Sequence, residues 1–199
     1  TMGFIPKLWA TAAFIFDPVQ RFFNGNFWEI FAEKFNQCLQ GKVLDLGCGT
    51  GEICYYIRPK YYLGVDLNAA YIKHARKRFN GHNFDFLVDD ITGYSPKDNF
   101  DTVLLVGTAH HLSDEQIIKV CKIIKKKKIK NFLVVDGIPT GIGSRLLSFL
   151  DSTLAGGKYF RNRSELKKLI ELYFKVKESG EFRARWSFYR YPFVVAQND

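Results

Sequence analysis

Gly47, Gly49 and Gly51 stand at alternate positions directly after the apolar run Val43-Leu44-Asp45-Leu46. Glycine is needed where a chain turns in left-handed backbone and where a side chain would keep a ligand off the main chain. A strand that runs into such a turn and then into a helix can cradle a nucleotide or nucleoside, and an ordinary strand-to-helix turn rarely needs three glycines. The dinucleotide fingerprint G-x-G-x-x-G is the natural competitor. Here Gly51 follows Gly47 by four residues, and Glu52 occupies the place of the expected third glycine. A carboxylate at that helix start sits poorly beside a pyrophosphate, so NAD is disfavoured.

Asp66 lies 19 residues beyond Gly47, close to the spacing of about 20 at which related sheets place an acid on ribose hydroxyls. A lone aspartate there would read as a helix cap, and the spacing reverses that preference. His110-His111 follows the apolar run Phe100–Val106. Imidazole exchanges a proton near neutral pH, and open α/β sheets bind ligands beyond the carboxyl ends of their strands. Either histidine serves as a base or steering group there, or the pair is packing.

These residues need elements to hold them. Phe27, Ile30, Phe31, Phe35 and Cys38 recur at helical spacing. Strands are expected at Lys42–Leu46, Tyr61–Val65, Asn83–Val88, Phe100–Val106 and Asn131–Val135. Between them the spacing predicts helices beginning at Ile53 and stopping near Pro59, capped at Asn68, and capped by Ser113 with Gln116. That alternation implies βαβ units and a parallel sheet. In the tail, Ser144–Leu154 reads as a helix, and Leu166, Leu169, Ile170 and Tyr173 form another helical stripe. Phe174–Lys177 and Arg185–Val195 read as final strands joined by a turn at Gly180.

Composition bounds the partners. The 199 residues are 47% hydrophobic and 25% charged, as in a globular chain. No apolar run approaches the roughly 20 residues that span a bilayer. Leu8–Phe16 is apolar, but Asp17-Pro18 follows where a signal peptide has small residues, so a cytoplasmic location is expected. Cys38, Cys48, Cys54 and Cys121 form no C-x-x-C pair, and neither a disulfide scaffold nor a metal site is expected. Lysine and arginine outnumber acids 29 to 20. The densest run, Lys125–Lys128 with Lys130, sits where a helix end favours cations, so a solvated helix end outweighs a nucleic-acid patch.

Asp45-Leu46-Gly47-Cys48-Gly49-Thr50-Gly51 resembles the first motif of the class I S-adenosylmethionine-dependent methyltransferases. Asp66, Asp90-Ile91 and the stretch from Phe100-Asp101-Thr102-Val103 to His111-Leu112 continue the resemblance, the last to the small-molecule, type 11-like branch. The resembling segments cover roughly residues 41–136, with Lys125–Lys128 standing before the fifth strand where the family often has Pro-Gly-Gly. The resemblance implies an α/β, Rossmann-like, seven-stranded, mostly parallel sheet with helices on both faces and an antiparallel strand near one edge. No internal repeat, low-complexity tract or Pro/Gly/Ser-rich linker divides the sequence, so one domain is expected over 1–199, with a helical cap at 1–40, a cofactor core at 41–138 and a variable helical insertion with final strands at 139–199. The resemblance assigns Asp45, Leu46, Gly47, Cys48, Gly49, Gly51, Asp66, Leu67, Asp89, Asp90, Ile91 and Val106 to S-adenosyl-L-methionine and its product S-adenosyl-L-homocysteine. Asp66 would take the ribose. Asp89 and Asp90 both remain candidates for the adenine.

The same resemblance narrows the reaction. Val106-Gly107-Thr108-Ala109 stands where adenine or glutamine N-methylation shows Asn/Asp-Pro-Pro-aromatic. Cys121 lies on a helix stripe, unlike a cytosine-attacking nucleophile. Only Glu115 is near the loop that carries two glutamates for arginine methylation. Asp136-Gly137 stands where Mg²⁺-dependent enzymes have Asp-Asn, so no metal is expected. His111 and His110 are left as candidate bases, His111 matching the recurrent family position better. The acceptor should be enclosed by residues 1–40 and 139–165, where Trp9, Phe14, Phe16, Phe22, Phe23, Phe27 and Trp28 crowd the first segment. Arg145, Lys158, Arg161 and Arg163 offer contacts to an anionic group or are solvated surface charge. Basic and aromatic residues alternate over Arg183–Tyr191, as on a half-buried strand or a surface that stacks nucleic-acid bases. The leading expectation is methylation of O or N of a small, partly apolar or lipid-like acceptor. An RNA or DNA methyltransferase, and a cofactor-binding protein without methyl transfer, are the alternatives.

Overall fold

The computed structural model describes residues 24–79, 81, 83–140 and 157–198. Its central strands are apolar on both faces, as a parallel sheet covered on both sides requires. β1 (Lys42–Leu46), β4 (Thr102–Val106) and β5 (Asn131–Val135) are buried almost throughout. β2 (Tyr61–Asp66) and β3 (Phe84–Val88) extend the sheet on one side of β1, giving the parallel order β3-β2-β1-β4-β5. Beyond β5 lies β8 (Tyr189–Gln197), antiparallel to it, and β7 (Lys175–Phe182) pairs with β8 at the margin, with a register shift between Val176 and Glu178. A two-residue strand, β6 (Ile138–Pro139), resumes after a break at Asp136-Gly137 and pairs with the start of β8. The Rossmann-like sheet is thus mostly parallel, with its antiparallel strand next to the edge, and the short β6 brings the strand count to eight.

Helices cover both faces. On one, α3 (Asp114–Lys126) and α4 (Arg163–Glu171) bury Ile117, Val120, Cys121, Leu166 and Ile170 against Leu44, Val103, Leu105 and Phe132. On the other, α1 (Phe27–Lys34), α2 (Ala69–Arg78) and a 3₁₀ turn at Glu52–Tyr55 bury Phe27, Phe31, Ile53 and Ile72 against Val43, Tyr62, Leu104 and Phe193. The Asn68 side chain caps α2 by accepting from the Ala70 and Tyr71 amides. Ser113 and Gln116 form a reciprocal capping box on α3. Asn162 and Glu165 form a second box on α4, which the sequence reading did not single out.

Two expectations need correction. The helix expected from Ile53 to Ile57 is only the 3₁₀ turn Glu52–Tyr55, because Pro59 keeps Arg58 out of helical backbone and leaves no room for a longer helix. Gly180 is not a turn. It lies inside β7, and a Cβ there would meet the Phe193 ring at 2.8 Å, so glycine makes room for a ring on the neighbouring strand. The connection between β7 and β8 is instead 183–188, and the basic and aromatic residues Arg183, Arg185 and Trp186 fall on a loop rather than a strand. The helix expected at Ser144–Leu154, Arg145, and the aromatic residues from Trp9 to Phe23 lie outside the described residues. Among the described residues no helix is long and apolar enough to cross a membrane.

Candidate active site

The strand order reverses between β1 and β4, and open α/β sheets place their ligand crevice beyond the carboxyl ends of strands at such a point. β1 ends there in the glycine turn. Gly47, Gly49 and Gly51 all hold positive φ, at 81°, 55° and 73°. A methyl at Gly47 would overlap the Thr108 side chain, and one at Gly51 would meet the Phe86 ring at 2.9 Å. A Cβ at Gly49 would meet nothing within 4 Å, so the main chain there is open to approach. The amides of Gly47 and Cys48 donate to the Val65 carbonyl and tie the turn to β2. Cys48 is buried and packs against Gly64, where any larger residue would collide with its sulfur.

Two acids stand at the base of the turn. Asp66, closing β2, accepts from the Gly49 amide at 2.8 Å and from the Asn68 amide at 2.8 Å. Burial raises its pKa, against the lowering effect of those two amides. Each carboxylate oxygen keeps a further lone pair. Asp45 is 2% exposed, and its Oδ2 accepts from the Tyr62 hydroxyl at 2.7 Å. Among the described residues its Oδ1 has no hydrogen-bond partner. Buried polar groups are nearly always paired, so this oxygen awaits a donor. Burial pushes the Asp45 carboxyl up to about 7, with the Tyr62 hydroxyl opposing and the Asp66 charge adding to the shift. A ligand bringing hydroxyls to Asp66 and a cationic amine to Asp45 fits this arrangement.

The remaining residues expected at the cofactor spread along the same edge. Leu46, Ile91 and Val106 are buried, whereas Leu67 is 73% exposed. Asp89 and Asp90 are exposed after β3, and the Asp89 amide donates to the Asp66 carbonyl. Asp89 Oδ1 accepts from the Asp90 amide, while Asp90 Oδ1 accepts from the amide and hydroxyl of Thr92. Both acids therefore border the Asp66 strand end.

The loop after β4 carries the histidines. The Thr108 hydroxyl lies 3.2 Å from the carbonyls of Gly47 and Val106, stitching this loop to the glycine turn. His110 and His111 share the 3₁₀ turn Ala109–His111, their rings 4.0 Å apart between centroids. His110 Nδ1 is 2.6 Å from Oδ1 of Asp136, which also accepts from the Gly137 amide at 2.9 Å. The His110 ring stacks on Phe160, at 5.1 Å and 6°. A buried carboxylate beside Nδ1 favours the ring form that carries its proton on that nitrogen. Among the described interactions it is His110 that gains the carboxylate, although the family position favours His111. Asp136 was missed as a partner because it lies 26 residues away, and only the pairing of β4 with β5 brings the two strand ends side by side.

Arg161, expected as an acceptor contact or a surface charge, is neither. It is 9% exposed, and its guanidinium bonds the carbonyls of Ala109, Leu112 and Tyr159 and the Asp114 carboxylate. Together with the Lys158 and Tyr159 amides, which donate to the His110 carbonyl, it clamps the histidine turn in place. Among the described residues no group of three or more His, Cys, Asp or Glu side chains converges as a metal site would.

Comparisons with known proteins agree with this geometry. Residues 43–127 match the family described as Methyltransferase domain. The chain is 26% identical over 117 residues to (S)-coclaurine N-methyltransferase of Thalictrum flavum subsp. glaucum, covering 55% of this chain and 30% of that protein. It is 38% identical over 78 residues to fatty-acid O-methyltransferase of Mycolicibacterium smegmatis, covering 36% and 28%. The matched stretches thus span less than a third of these curated relatives. In fold, the chain is similar to magnesium protoporphyrin IX methyltransferase from Synechocystis PCC 6803 with bound SAH, with a TM-score of 0.64 over 100% of this chain and 89% of that one, at 17% identity. The matched segment 43–127, the strand order and the glycine turn that ends β1 make this chain similar, over that segment and in fold, to the class I S-adenosylmethionine-dependent methyltransferases.

Proposed function

We propose that this chain transfers the methyl group of S-adenosyl-L-methionine to oxygen or nitrogen of a small, partly apolar, lipid-like acceptor, with His110 receiving the acceptor's proton. The observation that carries this reading is the His110–Asp136 pair, set at the same sheet edge as the glycine turn, Asp45 and Asp66. The bound sulfonium supplies an electrophilic methyl. Asp66 would accept from the ribose hydroxyls, Asp45 from the amino group, and Asp89 or Asp90 with Ile91 would border the adenine. Asp136 holds the His110 ring by Nδ1, so that Nε2 can take a proton from an acceptor O–H or N–H. Phe160 and the Arg161 clamp keep that ring from turning away. The relatives' names support small acceptors, one bearing nitrogen and one a fatty acid.

Purified protein, methyl-labelled cofactor and a panel of fatty acids, amines, phenols and structured RNA test the reading. Label on a small acceptor supports it. Label only on RNA, or cofactor binding with no transfer to any member, would replace it with one of the two alternatives.

A further inference from the structure

The β7–β8 connection, residues 183–188, is shaped with more care than a passive turn needs. The Ser187 amide donates to the Ala184 carbonyl, and the Ser187 hydroxyl pairs with the Tyr191 hydroxyl at 2.8 Å and accepts from the Tyr189 amide at 3.1 Å. From the other side, Asn26 accepts from the Arg185 amide at 2.7 Å, and Gly25 lies so close to the Arg185 carbonyl that a Cβ there would overlap it. This fixed loop holds Trp186 at φ 65°, left-handed backbone that bulky residues rarely adopt, with the side chain 79% exposed. Strained backbone that lifts a large aromatic into water calls for a use outside folding.

Its neighbours say what kind of surface would cover it. Within 181–190 there are three arginines, Arg183, Arg185 and Arg190, and one acid, Glu181, which pairs with Arg190. The Arg185 guanidinium lies 5.6 Å from the Trp186 ring centre. An exposed tryptophan beside the Arg185 guanidinium, in a loop that also carries Arg183, matches the boundary of an anionic bilayer, where tryptophan sits at headgroup level and each cation gains from the surface charge. Nucleic acid fits less well, because a strand needs cations along a groove. The lysine run Lys125–Lys128 cannot extend the patch, since it precedes the start of β5 while the loop lies beyond the end of that strand.

We propose that residues 183–188 form a docking tip for anionic phospholipid surfaces, with Trp186 entering the interface and Arg183 and Arg185 meeting the headgroups. β8 begins beside β6, just past Asp136, so the tip stands at the sheet edge that carries the His110–Asp136 pair. A docked protein therefore presents its acceptor side to the membrane. The docking itself does not depend on methyl transfer.

Sedimentation with phosphatidylcholine vesicles, with and without phosphatidylglycerol, tests it on the full chain. Wild type should bind the anionic vesicles, more weakly as salt rises, and bind pure phosphatidylcholine poorly. Trp186→Gly relieves the positive φ, so its melting temperature should hold or rise while vesicle binding drops roughly tenfold. Arg183→Glu with Arg185→Glu should remove the preference for anionic lipid. With Trp9 and Trp28 replaced by phenylalanine, emission from Trp186 should shift to the blue on adding vesicles. Absence of wild-type binding, equal binding by the Trp186→Gly protein, or loss of single-stranded RNA binding in place of vesicle binding would each overturn the proposal.

Discussion

Replacing Asp45 by asparagine isolates the effect of one buried carboxyl on stability and ligand binding. Burial raises this group from its ordinary value near 3.8 to about 7. A folded-state value above the unfolded one means that, between the two, the folded chain keeps a proton the unfolded chain has released. The stability linked to this group is full below about pH 4, falls as pH rises toward the folded value, and is level above it. Asparagine keeps an acceptor for the Tyr62 hydroxyl and cannot ionise. In cofactor-free protein, urea unfolding should therefore show the variant gaining on wild type by about 2–3 kcal/mol between pH 5 and pH 8. A gap that stays constant across that range would refute the reasoning. Binding of a cationic amine at Asp45 would favour the ionised form, so calorimetry in buffers of different ionisation enthalpy near pH 6 should show proton release on cofactor binding to wild type and none in the variant. Equal proton release by both would place the amine elsewhere.

Further outcomes follow from single contacts. Asp66→Ala should weaken S-adenosyl-L-methionine binding by about 1.5–3 kcal/mol, read by calorimetry, as for hydrogen bonds to a charged group. Asp136→Asn should lower kcat by about 10²–10⁴-fold with cofactor affinity unchanged, because the amide no longer fixes the His110 tautomer. His111→Ala should cost less turnover than His110→Ala when both are measured on folded protein. Arg161→Met should lower stability by at least about 2 kcal/mol in urea titrations, since it leaves the Ala109 and Leu112 carbonyls without their partner. Turnover should survive EDTA; loss of activity restored by Mg²⁺ would show a metal requirement.

The glycine turn and its neighbouring caps were legible because their signals are local. The three glycines and the Asn68 and Ser113 caps each lie within one strand–turn–helix unit, Asp66 closes the next strand, and the structure forms each of those turns and caps. The setting of the histidine turn was not, because it depends on contacts between distant segments. Asp136 reaches His110 only through strand pairing, and Arg161 reads as a surface cation until its carbonyl partners are known. Gly180 misled for another reason. A glycine between Ser179 and Glu181 looks like a turn, and nothing local reveals the Phe193 ring that requires the space.

The outer margin of the sheet has a consequence for self-association. β7 pairs with β8 on one side, and among the described residues no strand pairs with its other side. A bare strand edge invites a neighbouring molecule to add its own strand, the first step of many aggregates. Here the register slips between Val176 and Glu178, and the strand carries Lys175, Lys177, Glu178 and Glu181. The bulge spoils the regular spacing an incoming strand would need, and the charges would have to shed water to admit one. Copies of this chain should therefore remain apart along that margin even when crowded.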